Sequence, residues 1–305
     1  MEHFTLPNLL TYWPWPRRLN LHYREVGAAS TAWIDSFQLL NANKKAAFDK
    51  CNFKQLRSAC DMVYLFFAFD DFSDSGSGAA VRQQADIMMD ALRNPDVPRP
   101  EGEVALGEMT RQFWSRTLRF TNPSPLTQQR MIRTFDDYTT AVAIQAEDRD
   151  QHLIRDIESY FTVRRGTIGI YPFYVLLELG LDLPESVLEH PVIVDMERCI
   201  ADIIIIANDI YSYNVEQARG DDIHNLVTVA MKELGTDLHG ALQWIGEYSA
   251  GVEVQFLNSI ALLPTGGEKV NHQVAKYVYG LANWARANDT CIQKSRKVML
   301  AAKGV

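Results

Sequence analysis

Asp70, Asp71 and Asp74 stand at i, i+1 and i+4, directly after the apolar run Met62-Val63-Tyr64-Leu65-Phe66-Phe67-Ala68-Phe69. On a helix, a spacing of four sets Asp70 and Asp74 on one face, with Cβ atoms about 5–6 Å apart. Like charges about 4 Å apart repel by on the order of 4 kcal/mol at an effective dielectric of about 20. Carboxylates at a helix C-terminus also oppose the helix dipole. Such a helix end calls for cations, and Mg2+ suits it because that ion takes hard oxygen ligands and shares them with phosphates. Taken alone, the cluster also reads as a solvated helix end.

A second polar set lies far downstream. Asn208, Ser212 and Glu216 fall at i, i+4 and i+8, so they share one helical stripe that drifts about 40° per step. An amide carbonyl, a hydroxyl and a carboxylate in line make a hard-cation site of low charge. The preceding Ile203-Ile204-Ile205-Ile206-Ala207 is apolar, so the three groups are expected to interrupt a buried face. Burial without partners would cost about 1–3 kcal/mol each. The competing reading is a surface stripe running on to Gln217, Arg219 and Asp221, which fits Glu216 better than Asn208.

These groups need helices to position them, and the chain supplies helical patterning from about Ser30 onward. Residues 52–70 form a helix that becomes apolar all round, the mark of a central element, and it should stop at Ser75-Gly76-Ser77-Gly78. Further helices are predicted over 79–94, 102–121, 125–147, 151–165, 169–180, 185–189, 191–218, 222–233, 235–262 and 267–302. Pro125 suits the first position of its helix. The isoleucine run has strand propensity, but its long polar-periodic flanks make it a buried helix. Residues 1–30, with Trp13-Pro14-Trp15-Pro16, read as an irregular arm. No linker divides the chain, so the fold class is all-α, with residues 1–305 as a single domain.

Composition agrees. The chain has 305 residues, 47% of them hydrophobic, ample for a deep core. Net charge is −8 and the basic residues are scattered, which argues against nucleic acid as a partner. No apolar stretch reaches the roughly 18 residues of a membrane span. Cys51, Cys60, Cys199 and Cys291 lack metal-finger or CxxC spacing and read as buried small hydrophobes. Met1-Glu2-His3-Phe4 has no signal-peptide pattern, so a reducing, cytoplasmic setting is expected. His224 and His272 have no catalytic partner at useful spacing, and no Ser-His-Asp, HExxH or phosphate-cradling loop is present.

Asp70-Asp71-Phe72-Ser73-Asp74 resembles the aspartate-rich motif of class I terpene synthases. Asn208-Asp209-Ile210-Tyr211-Ser212-Tyr213-Asn214-Val215-Glu216 resembles their NDxxSxxxE motif. The separation of the two, the early Trp-Pro repeat and Gly220-Asp221-Asp222-Ile223-His224-Asn225 are similar to microbial members, especially mushroom (basidiomycete) sesquiterpene synthases. The resemblance covers nearly the whole chain. It implies a single α-helical bundle around a central apolar pocket, with the two motifs facing each other across its mouth. It also implies three Mg2+ ions held by Asp70, Asp74, Asn208, Ser212 and Glu216, bridging to the diphosphate of an isoprenyl substrate. Farnesyl diphosphate is the expected substrate and geranyl diphosphate the shorter alternative, with the enzyme a monomer or homodimer.

Tyr160-Phe161-Thr162-Val163-Arg164-Arg165-Gly166-Thr167-Ile168-Gly169 resembles the segment carrying the family's diphosphate-sensing arginine. Arg165 is preferred for that role, with Arg164 the alternative; an Arg fork suits phosphate because it donates two parallel hydrogen bonds. Gly166 and Gly169 each cost about 1 kcal/mol in a helix, which the family explains by a helix break at the pocket, lined there by Gly169. Phe66 and Phe67 are expected to line the pocket too, where aromatic faces attract carbocations by about 0.5–2 kcal/mol each.

One feature departs from the mushroom pattern. Where those relatives carry an Arg-Tyr pair, this chain has Ser295-Arg296-Lys297-Val298. Arg296 or Lys297 can supply the cation, but Val298 cannot supply the hydroxyl. Fewer closing contacts should weaken the water-excluding state, which predicts an acyclic or hydroxylated product such as nerolidol or linalool. The competing functions are a chain-elongating prenyl diphosphate synthase, against which Asp136-Asp137-Tyr138-Thr139-Thr140 lacks a final Asp, and a catalytically inactive helical binding protein.

Overall fold

The structure, a computed structural model, describes residues 6–7, 9–16, 23–37 and 57–302, with side chains up to Asp289. In chain order its helices are α1 (Tyr23–Asp35), α2 (Arg57–Ser73), α3 (Gly78–Arg93), α4 (Ala105–Thr121), α5 (Pro125–Asp150), α6 (Ile157–Thr167), α7 (Tyr171–Glu178), α8 (Glu185–Leu188), α9 (Pro191–Arg219), α10 (Leu226–Leu234), α11 (Leu238–Ser259) and α12 (Glu268–Ala302). Short 3-10 turns lie at Asp222–His224 and Ile260–Leu262. The all-α reading holds, and among the described residues there is no strand. No helix is long and apolar enough to cross a membrane among the described residues.

Two compact units emerge, each assembled from separated segments: Arg18–Glu147, Tyr171–Gly180 and Gln293–Val305 in the first, and Met1–Arg17, Asp148–Ile170 and Leu181–Ile292 in the second. In the first unit α2 packs on α1, α4 and α7, and α3 packs on α4. The apolar run of α2 explains this: Met62, Leu65 and Phe69 are wholly buried. Phe66 stacks on Tyr138 at 4.0 Å between centroids and meets Phe135 and Phe173 edge-on. The breaker cluster after α2 also serves packing. Ser77 caps α3 by accepting from the Ala80 N–H, and a Cβ at Gly78 would sit 2.6 Å from Glu147 Cγ, so only glycine lets α3 start this close to α5.

The second unit is built on α9, which packs along α11; α10 packs on both of them, and α6 packs on α9 and α10. Ile205, Ile206, Ala207 and Ile210 of α9 share one apolar core with Tyr160, Phe161, Leu226, Val229 and Ile245, so the isoleucine run is a buried helix as expected. The N-terminal arm is tied down here. Leu10 and Tyr12 donate their backbone N–H to the Glu253 carboxylate. Trp13 donates its indole N–H to the Ala282 carbonyl, and Arg286 donates to the carbonyls of Trp13 and Trp15.

The arm is shorter than residues 1–30. α1 already begins at Tyr23, because Ser30, Trp33 and Ile34, all buried, form an i, i+3, i+4 helical stripe. The arm is described as irregular as far as Pro16; residues 1–5, 8 and 17–22 lie outside the described residues, as do residues 38–56. The helix predicted from 52 is described from Arg57.

A buried ion pair fixes α7 to α5 within the first unit: Arg130 Nε donates to Glu178 Oε1 at 2.7 Å. Burial pushes the Glu178 carboxyl up, with Arg130 opposing. Removing one partner of a buried pair costs about 3–5 kcal/mol. Arg130→Met should therefore lose about that much unfolding free energy in urea at neutral pH. The loss should shrink as pH falls, since an unpaired Glu178 takes up a proton more readily in the native state than in the unfolded chain.

Candidate metal-binding site

α9 is set by its ends. His190 caps it through Nδ1, Pro191 occupies its first turn, and Gly220 closes it in the left-handed conformation. Where the buried run ends, Asn208 is exposed and Ser212 and Glu216 are partly exposed. The expectation that these groups interrupt a buried face is corrected: the stripe turns out of the core at Asn208. Each residue advances the helix by about 100°, so a side chain next to buried Ala207 can face solvent. The three residues share the stripe predicted from their spacing.

Each stripe residue has a neighbour that fixes it. Asn208 Oδ1 accepts from Arg164 Nη2 at 2.7 Å. Ser212 Oγ lies 3.4 Å from the Asp209 carbonyl oxygen. Glu216 Oε2 accepts from Asn225 Nδ2 at 2.8 Å. Burial holds the Glu216 carboxyl above its ordinary range, while hydrogen bonds from Ser212 and Asn225 pull the other way.

Behind the stripe sits Asp209, 1% exposed. Its Oδ2 accepts a hydrogen bond from the Tyr160 hydroxyl and one from the Leu226 N–H at 3.0 Å. Arg164 Nη2 donates to Oδ1 at 3.1 Å. Burial, with the Asp209 charge adding to it, pushes the Tyr160 phenol well above its usual range, so it stays a donor. Burial works against the Arg164 charge, but Asp209, with Tyr160 and Glu216 adding to it, outweighs burial and holds the guanidinium protonated.

Arg165 takes a different partner. It makes a bidentate contact with buried Asp202, at 2.7 and 3.0 Å, and its guanidinium lies 5.2 Å from the Phe161 ring centroid. Of the two arginines singled out in the sequence, Arg164 is thus the one that touches a stripe residue, and Arg165 anchors to α9 six residues before the stripe begins. The break after them is present: α6 ends at Thr167, and Gly169 takes a φ of 67°.

Asp70, Asp71 and Asp74 are all exposed at the end of α2, in the first unit. The Ser73 hydroxyl and the Asp74 N–H both return to the Asp70 carbonyl, each at 2.9 Å. The last turn of α2 holds no basic residue, so three carboxylates and the negative helix end lie together. Phe66 is buried in the aromatic cluster, whereas Phe67 is 38% exposed. Arg296 and Lys297 lie on α12, with side chains outside those described, as is that of Cys291; Cys60 and Cys199 are buried thiols.

The donor chemistry fits a hard divalent cation. Both sets offer oxygen only, and among the described residues no three His, Cys, Asp or Glu side chains form a closed metal cage. An ion held by so few protein oxygens keeps positions for ligand oxygens and water, as Mg2+ does with phosphates.

Tyr160, Asp209, His224 and Asn225 stand in the motifs read from the sequence, but sequence reasoning gave none of the four a role here. His224 is half-buried, with Nε2 3.9 Å from Asp148 Oδ2. Burial pushes it down to about 4; Asp148 opposes, while Arg164, Arg155 and Arg149 reinforce the drop.

A family model described as terpene synthase family 2, C-terminal metal binding, matches residues 61–251. A Delta(6)-protoilludene synthase of Stereum hirsutum is 47% identical over 298 residues, covering 93% of this chain and 80% of that one. Sesquiterpene synthase 14 of Postia placenta is 42% identical over 297 residues, covering 93% and 84%. Among solved structures, germacradien-4-ol synthase from Streptomyces citricolor superposes with a TM-score of 0.78 at 20% identity, covering 96% of this chain and 98% of that one; this likeness speaks for the fold.

Two outcomes are expected. Asp209→Asn should lower unfolding free energy by about 3–5 kcal/mol in chemical denaturation, because Arg164 loses its buried counter-charge. His224 is held neutral in the fold, so its contribution is complete above the unfolded pKa of about 6.5 and is lost as pH falls toward 4. Over that window wild type should lose on the order of 3 kcal/mol more than His224→Gln, read as melting temperature against pH.

Proposed function

The chain belongs to the class I terpene synthases, and from that premise we propose that it ionises farnesyl diphosphate and converts the carbocation to a sesquiterpene. The observation that carries this reading is the accessible stripe Asn208-Ser212-Glu216, three hard oxygens on one face of α9, in a chain 47% identical to a Delta(6)-protoilludene synthase. We assign metal binding to Asp70, Asp74, Asn208, Ser212 and Glu216, with Mg2+ as the ion and three ions per site. Bound there, Mg2+ supplies Lewis-acid stabilisation of the departing diphosphate.

The chain's own groups do the rest. Carboxylates of Asp70, Asp74 and Glu216 provide the negative charge that retains the ions. Arg164 or Arg165 donates to diphosphate oxygens, as a planar fork is suited to do; Asp209 keeps Arg164 charged for that task. Arg296 or Lys297 adds a further cation. Phe66 and Phe67 are assigned to the apolar lining, where aromatic faces would attract a carbocation without attacking or hydrating it, and Gly169 is assigned to the lining through the helix break it makes. Residues 1–305 work as one synthase domain, as a monomer or homodimer, in the cytosol.

Names of relatives favour a cyclic hydrocarbon such as Delta(6)-protoilludene. A second reading, an acyclic or hydroxylated product such as nerolidol (or linalool from geranyl diphosphate), is favoured by Val298, which carries no hydroxyl to help close the site.

Purified protein incubated with Mg2+ and, separately, geranyl, farnesyl and geranylgeranyl diphosphate should release a sesquiterpene from the farnesyl substrate, identified by gas chromatography of the volatiles. Chelation should abolish turnover and Mg2+ restore it. Asp70→Asn and Glu216→Gln should each lower kcat by about 100-fold or more. A longer prenyl diphosphate as product, or no product from any substrate, would contradict the assignment.

A further inference from the structure

We propose that Asn225 is a positioning residue that holds the Glu216 carboxylate ready for a cation, an inference that rests on the metal-binding role given to Glu216 above. Asn225 is 1% exposed and sits between the 3-10 turn at Asp222–His224 and α10. Its backbone is extended and its Oδ1 accepts from the Val227 N–H at 2.9 Å, capping α10. That leaves Nδ2 with two hydrogens. One goes to the Asp209 carbonyl at 2.9 Å and the other to Glu216 Oε2 at 2.8 Å; Ser212 Oγ lies at 3.5 Å.

The amide has one sensible orientation. Turned over, Oδ1 would face the Asp209 carbonyl and the Glu216 carboxylate, acceptor against acceptor, and Val227 would lose its partner. Asn225 therefore reaches Ser212 and Glu216 of the polar stripe and also Asp209, which falls between Asn208 and Ser212. The choice of an amide is chemically apt. A lysine or arginine at this point would neutralise Glu216 and compete with a metal ion. A neutral N–H fixes one carboxylate oxygen and leaves the negative charge available. It also removes rotamer freedom that a glutamate would otherwise lose on binding the ion. Groups that orient metal ligands in this way typically change metal affinity 10–100-fold when removed.

α10 brings Asn225 to this place by a second contact, the Leu226 N–H on Asp209 Oδ2. The start of α10 is thus docked on the stripe at adjacent residues, one holding the ligand face from behind and the other reaching Glu216.

Asn225→Ser separates the two roles, since serine still caps a helix but has no N–H2 to reach Glu216. Calorimetric titration with Mg2+ and inorganic diphosphate should show affinity about 10–100-fold weaker than wild type. The KM for Mg2+ should rise in step while kcat at saturating Mg2+ stays close to wild type, and the metal-free melting temperature should show a folded protein. In a Glu216→Gln background the same substitution should add almost nothing, because the two residues act as one unit. Should the serine variant not fold, Asn225→Thr carries the same expectations.

Wild-type affinity in a folded Asn225→Ser protein, alongside weakened binding in Glu216→Gln, would overturn the inference and leave Asn225 a helix cap. Wild type that binds Mg2+ and diphosphate no better than Glu216→Gln does would instead remove Glu216 from the metal site, and both readings with it.

Discussion

A carboxylate that cannot reach water organises the candidate site. Asp209 points into the core of the second unit, where an isolated charge would be costly, and its oxygens are filled by Arg164, the Tyr160 hydroxyl and the Leu226 N–H. A buried charge is tolerated only when paired and hydrogen-bonded this completely. The donors come from α6 and from the start of α10, so one side chain of α9 locks three elements around the stripe. Because Asp209 falls between Asn208 and Ser212, holding it holds the stripe. Arg164, once fixed, reaches Asn208; Leu226, once fixed, delivers Asn225 to Glu216.

The two acidic sets reach a demand for cations by different routes. At the end of α2 the demand is electrostatic: three exposed carboxylates at a negative helix end, with no basic side chain in the last turn. Along α9 it is geometric. A single carboxylate, a hydroxyl and an amide oxygen are lined up, and the charge of Glu216 is steadied by a neutral amide rather than cancelled by a basic residue. Among the described residues neither set makes a closed cage, which suits the proposed sharing of Mg2+ with a diphosphate.

Much of this could be read from sequence, for identifiable reasons. The helices were legible because breakers fall where they stop: Pro125 opens α5, Gly78 opens α3, and Gly220 closes α9. The stripe was legible because offsets of four survive any packing. Its exposure was not, since the apolar neighbours of Asn208 tell nothing about which way residue 208 itself faces. The start of α1 was missed because the prolines and aromatics before it set the expectation of irregular chain. Tyr160 and Asp209 are 49 residues apart, and no local pattern announces such a pairing. Asn225 carried one signal, an Asn before the apolar start of a helix, which marks a cap but not the second task of its amide nitrogen. Between Arg164 and Arg165 the family resemblance preferred Arg165; packing separates them on physical grounds, by sending Arg164 to Asp209 and Arg165 to Asp202.

The central claim is that the stripe on α9 holds a divalent cation. Diffraction from crystals grown with Mn2+ and inorganic diphosphate, recorded at the manganese edge, tests it most directly. The account predicts an anomalous peak within about 2.0–2.3 Å of Asn208 Oδ1, Ser212 Oγ and a Glu216 carboxylate oxygen, with diphosphate oxygens completing the shell. Manganese bound with diphosphate elsewhere, and none of these three oxygens within coordination distance of it, would contradict the account.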